Sequence, residues 1–268
     1  MSEAFGALLR SWRGQRRMSQ LELGLAANVS ARHISFLETG RARPSKSMVL
    51  ILSETLRVPR AIRNTLLNAA GFAKAYKSRD LGEDEMAYVR AAMDWTLERH
   101  SPFPAIAFDR HWRLVRSNGT AAALLEPMNL GEGDSLLDAF AEGGGIANAI
   151  VNWEEVARHM IARLRTESAH LGGDAVLEAG ADRLAEQLGR EKSEYTGTMP
   201  AVVAAKYNAG GMTLSFFSTI SQFGSAEDIA LADLKIELMF PADDFTREAL
   251  VSQFGQEPAC STNSNVIR

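Results

Sequence analysis

The chain has 268 residues, 46% of them hydrophobic and 23% charged, a globular composition that excludes a disordered or fibrous protein. Its 29 Lys and Arg against 33 Asp and Glu conceal an asymmetry: residues 1–79 carry 14 bases and 4 acids, a net +10, and the remainder 15 bases and 29 acids, a net −14. No apolar run approaches the ~20 residues of a membrane span, and the single cysteine, Cys260, excludes a disulfide framework and a Cys-built zinc site.

A basic head on an acidic body predicts a polyanion-binding module joined to a part that need not touch the polyanion. The start MSEAFGALLRSW has an acid where a secretory leader is basic, so the expected location is the cytoplasm. In the first helix Phe5, Leu8, Leu9 and Trp12 recur at i, i+3, i+4 and i+7, one apolar stripe. Ser19 with Glu22 is a capping box opening a second helix, whose buried side is expected to be Leu21, Leu25 and Ala26. Asn28 enters the left-handed region cheaply and can make a tight corner. Ser30 then caps a third helix carrying Ile34 and Leu37 inward, closed by Gly40. Ser45 starts a fourth helix through Val49, Leu52 and Leu56, and Pro59 opens a fifth that ends before Gly71.

Two helices joined by so short a turn, inside a basic five-helix unit, form a helix-turn-helix. The stretch SQLELGLAANVSARHISFLETGRARPS resembles the helix-turn-helix of the XRE class, through Gln20, Glu22, Asn28, Ile34, Leu37-Glu38 and Gly40-Arg41. That resemblance implies that the third helix enters the DNA major groove. Arg32, Ser35 and Phe36 share its outer face, with Ala31 and His33 flanking them. Arg32 suits a bidentate contact to guanine and Phe36 a thymine methyl, while Gln20, Arg41, Arg43 and Lys46 suit phosphates. The resemblance also pairs Arg13 with Glu38, a structural role and not a DNA contact.

In the body, Met86, Val89, Met93 and Leu97 predict a helix stopped by Ser101-Pro102-Phe103-Pro104. The period then changes: 105–109 and 112–116 read as a strand hairpin. Asn118 begins a helix ended by Pro127, and Gly143-Gly144-Gly145 marks a loop. A long amphipathic helix over 152–168 buries Trp153, Val156, Met160 and Leu164, and another covers roughly 174–188. Strands return at 201–207, 212–217 and 236–241, the first two joined by Asn208-Ala209-Gly210-Gly211. The expected fold class is therefore an all-α helix-turn-helix N-terminal domain of five helices followed by an α+β domain. The expected boundaries are 1–75 for the head, 76–100 for a connecting helix, 101–255 for the sheet domain and 256–268 for a disordered polar tail.

The segments SPFPAIAFDRHWRLVRSNGTAAALL, VNWEEVARHMIARLRTE and MPAVVAAKYNAGGMTLSFFSTISQFG resemble the ligand-binding domain of MmyB-like transcription regulators, whereas residues 127–150 depart from its pattern. The resemblance implies a PAS-like fold and an apolar effector, a fatty acid or acyl derivative. Apolar candidates to line such a cavity are Phe108, Leu114, Met160, Leu164, Leu214 and Phe216, with Leu238 and Phe240, plain core packing being the alternative for each. Arg116, His159, Arg163 and Lys206 are candidates to clamp an acyl carboxylate.

Catalytic patterns are missing. Five histidines lack metal-ligand spacing, no GxxxxGK or GxSxG occurs, and Lys192, Lys206 and Lys235 have no serine nucleophile beside them in the pattern of a self-cleaving repressor. Glu154-Glu155 and Asp243-Asp244 read as solvated pairs. The expectation is a non-enzymatic regulator without a metal or cofactor, a homodimer on roughly palindromic double-stranded DNA, controlled by a small apolar or acyl effector and not associated with a membrane. Three alternatives for the body stay open: a protein-interaction module, a chromophore holder, or a dimerisation domain without a ligand.

Overall fold

The computed structural model describes residues 2–142, 145–189, 202–224 and 228–255. Gly143, Gly144, Lys192, Cys260 and the tail over 256–268 lie outside the described residues. The chain divides into two units, one of residues 1–79 with 166–175 and 226–229, the other of the remaining residues.

The first unit contains α1 (Ser2–Gln15), α2 (Gln20–Ala27), α3 (Ala31–Glu38), α4 (Lys46–Thr55) and α5 (Arg60–Ala69). Each start is chemically specified. Ser19 and Glu22 form the reciprocal capping box of α2, and the Ser30 and Ser45 side chains accept the third backbone N–H of α3 and α4. Asn28 ends α2 in the left-handed region, at φ 55° and ψ 45°. Phe5, Leu9, Trp12, Leu23, Ile34, Leu37, Val49, Leu52, Leu56, Leu66 and Leu67 form one buried cluster.

One expectation fails in α2. Leu21 is 60% and Leu25 74% exposed and Ala26 is exposed, while Leu23, Gly24 and Ala27 face inward. The cause is the tight corner: a Cβ on Gly24 would lie 2.5 Å from the Val29 carbonyl oxygen, so only a small side can turn toward α3. With apolar residues nearly all round α2, periodicity alone could not choose its inner face.

The second unit is built on a five-stranded antiparallel sheet of order β2-β1-β5-β4-β3, with β1 (Ala105–Phe108), β2 (Leu114–Ser117), β3 (Ala205–Ala209), β4 (Met212–Gln222) and β5 (Lys235–Pro241). Its helices among the described residues are α6 (Ala87–Arg99), α7 (Gly119–Leu125), α8 (Leu136–Ala141), α9 (Ile146–Ala149), α10 (Trp153–His170), α11 (Ala175–Leu188), α12 (Ile229–Asp233) and α13 (Asp244–Phe254), of which α10, α11 and α12 each include residues assigned to the first unit. α8, α9, α12 and α13 are additions to the sequence-based reading. Asp243, read there as half of a solvated carboxylate pair, caps α13 by accepting from the Thr246 N–H at 2.7 Å.

Register assigns the two faces of the sheet. Ala105, Ala107, Ile236 and Leu238 pack with Met93 and Leu97 of α6. Ile106 lies opposite Glu237 and Ser218 opposite Met239, placing these four together on the other face. Asn118 ties α6, β1 and α7 together. Its Oδ1 accepts from the N–H of Ala105 and Ala121, and its Nδ2 donates to the carbonyls of Leu97 and Phe103. Among the described residues no helix is long and apolar enough to cross a membrane.

Candidate DNA-reading helix and ligand cavity

In the head, α3 turns Ile34 and Leu37 fully inward, so its opposite side is presented outward. Arg32 is exposed, and its guanidinium carbon lies 5.3 Å from the centre of the Phe36 ring one turn on. Ala31, His33, Ser35 and Phe36 are half-buried, and Arg41, Arg43 and Lys46 follow α3 as exposed cations. Gln20 has structural work: its amide donates to Glu38 Oε2 at 2.8 Å. The same carboxylate receives Arg13 Nε at 2.6 Å and Nη2 at 3.0 Å. Burial of Glu38 opposes its ionisation, but the hydrogen bonds from Arg13 and Gln20 and the nearby charge outweigh it, holding the carboxyl below its ordinary value.

In the second unit a cavity of about 130 Å³ opens on the sheet face opposite α6. Ile106, Ala205, Tyr207, Phe216, Ser218, Glu237 and Met239 supply the sheet side of its wall. Trp112 and residues of the helical layer, among them Leu136, Phe140, Val156, His159, Met160 and Arg163, complete it. On α10, Val156, His159, Met160 and Arg163 follow helical spacing and so share one face.

The polar groups of this wall are few and connected. Arg163 Nη1 lies 3.5 Å from Glu237 Oε2, and the Ser218 hydroxyl donates to Glu237 Oε1 at 2.6 Å. The guanidinium carbon of Arg163 stands 4.2 Å from the centre of the Trp112 ring, which itself stacks on Phe108. Partial burial, and then the charge of Arg163, push His159 below its ordinary value against the smaller pull of Glu237. Burial raises the Tyr207 phenol, which therefore stays protonated.

Of the residues proposed from sequence to hold a ligand, His159, Met160, Arg163 and Phe216 reach this wall. The others are placed elsewhere. Phe108, Leu114, Leu164 and Leu214 are buried in packing, Leu214 against Phe216 and Leu250. Leu238 joins the α6 side, and Phe240 stacks on Phe217. Arg116 lies across from Ala107, whose side chain faces α6, and meets Asp94 of α6 at 3.3 Å and Glu132 at 3.1 Å. Lys206 is exposed and alternates with Ala205 and Tyr207, so its side chain points away from the cavity. Trp112, Ser218 and Glu237 were missed; Ser218 stands two residues beyond Phe216, a period-2 signal that shows only once the strand is known to run on to Gln222.

A helix-turn-helix head together with an α+β unit holding an apolar cavity defines a DNA-binding transcription regulator with a ligand-binding domain. The chain belongs to the MmyB-like transcription regulators: the family model for the MmyB-like transcription regulator ligand binding domain matches residues 89–252, and that for a helix-turn-helix domain matches residues 4–66. Comparison with curated proteins gave no match.

Proposed function

We propose that two copies of the chain bind a roughly palindromic operator through α3, and that a small apolar or acyl ligand in the cavity sets the affinity for that operator. Arg32, Ser35 and Phe36 read base edges with Ala31 and His33 beside them, while Arg41, Arg43 and Lys46 hold phosphates and Gln20 fixes α2 against α3 and lies beside the backbone. Half-sites lie about 34–36 Å apart, one turn of DNA. The work of the second unit is recognition, not catalysis.

The observation that carries this reading is the cavity: an apolar wall with one small polar cluster, on a sheet face closed on its other side by α6. Its volume holds on the order of ten non-hydrogen atoms, one for each water-sized space. A ligand favouring one of two dimer geometries shifts operator affinity by its difference in affinity for the two, typically about 1–3 kcal/mol.

Native mass spectrometry of the purified chain, with solvent extraction of whatever dissociates, tests both halves. The expected result is a dimer releasing an amphiphile that changes operator binding in fluorescence anisotropy when added back. A monomer at high concentration, or an extracted compound without effect on operator binding, overturns the corresponding half.

A further inference from the structure

The polar end of the cavity is already charge-balanced. Arg163 and Glu237 are in contact at 3.5 Å, with side chains 15% and 13% exposed, and Ser218 donates to Glu237 at 2.6 Å. An anion approaching Arg163 therefore approaches Glu237 as well. With both side chains largely shielded from solvent, screening of that repulsion is weak. His159 adds no compensating cation near neutral pH, because burial and Arg163 hold it below its ordinary value. Among the described residues of the wall, Tyr207 adds a neutral hydroxyl and Trp112 an indole N–H. The described residues of the wall thus offer N–H and O–H donors and carboxylate and hydroxyl acceptors, with no net charge.

We propose that the cavity selects a neutral amphiphile, with an amide, ester or alcohol head on a short alkyl body, over the free carboxylate of the same length, and that Glu237 is the residue that determines this choice. An amide suits both halves of the pair. Its carbonyl accepts from a guanidinium N–H and its N–H donates to a carboxylate, so the head is satisfied at both ends. A carboxylate can only accept; beside Glu237 it leaves two anions sharing one cation. This inference deepens the proposal that the cavity holds an apolar ligand and rests on it.

The test is calorimetric titration of the full-length, delipidated protein at neutral pH with octanamide and with octanoate, isosteric probes of the expected size. The expected result is tighter binding of octanamide by about tenfold or more, the scale of a like-charge contact in a shielded site. Glu237→Gln keeps the side-chain shape and an acceptor for Ser218. It should raise octanoate affinity about tenfold and leave octanamide within about threefold. Equal or tighter binding of octanoate by the unaltered protein overturns the inference while leaving the apolar-ligand reading in place. So does an octanoate affinity indifferent to Glu237→Gln. Should that variant fail to melt cooperatively, the two titrations of the unaltered protein still decide. Failure of both probes to bind overturns the apolar-ligand reading, and the head-group preference with it.

Discussion

Arg13 and Glu38, 25 residues apart, are locked by two hydrogen bonds of 2.6 and 3.0 Å that tie the end of α1 to the end of α3. The Glu38 side chain is 3% exposed and that of Arg13 16%, so removing either partner leaves a shielded charge without its counterpart. Glu38→Ala should destabilise the head by about 3 kcal/mol, the low end of what breaking a buried pair costs. Urea unfolding followed by circular dichroism measures it; a loss below about 1 kcal/mol, the scale of an exposed pair, would contradict the role assigned here.

The same carboxylate gives a pH dependence of definite sign. Its value in the folded protein lies below the ordinary 4.5. The stability it contributes is therefore complete above about pH 4.5 and disappears as the pH falls through the folded value. Thermal melts of the protein and of Glu38→Gln across this range should converge on acidification, the variant being the less stable at neutral pH and nearly insensitive to this titration.

Arg32 and Lys46 are exposed cations to which the proposed function gives different tasks. Arg32→Ala should relax sequence preference by about 1–3 kcal/mol at the base it reads and leave non-specific binding largely intact. Lys46→Ala should weaken all sequences alike and reduce the slope of log affinity against log salt by about one. Footprinting and salt titration separate the two; an unchanged site preference for Arg32→Ala would show that another residue reads the bases.

Gly24 is a test of close packing. Alanine is favoured over glycine in a helix by about 1 kcal/mol. Here, however, its methyl would sit 2.5 Å from the Val29 oxygen and 3.2 Å from the Ala31 nitrogen, backbone atoms that cannot step aside. Gly24→Ala should therefore destabilise by a net of about 1–3 kcal/mol. A stabilised variant in a thermal melt would mean that the turn between α2 and α3 gives way easily.

Asn118 tests the junction of the second unit. Asn118→Asp keeps an oxygen for the N–H groups of Ala105 and Ala121 but aims a carboxylate oxygen at the carbonyls of Leu97 and Phe103. With Asn118 only 5% exposed, the change should cost about 2–3 kcal/mol although the cap of α7 survives. Denaturant unfolding checks it, and a neutral result would remove the donor half of the role.

What could be read from sequence were features specified by one residue or by one period. Ser19, Asn28, Ser30 and Ser45 marked the starts and stops of the head because capping is local chemistry. Leu21 and Leu25 misled because apolar residues surround α2, and the small inner face of Gly24 and Ala27 is set by the approach of α3. In the second unit α8 and α9 were missed because six and four residues give no helical period. The cavity wall was half legible: α10 announced its inner face, bringing His159, Met160 and Arg163. Glu237 belongs to the site through the pairing of β5 with β1 and β4, a relation between distant strands that no local pattern carries.

The brevity of α3 has a consequence for information. Eight residues make a rod of about 12 Å, which at about 3.4 Å per step spans three or four base pairs. A four-letter word recurs by chance about once in 256 positions, so one such helix meets thousands of false addresses among the roughly 10⁶ or more sites of a genome. Two of them, read together at a fixed spacing, bring chance recurrence to about once in 65,000. What a single head lacks in reach, the second copy of the proposed dimer supplies in counting.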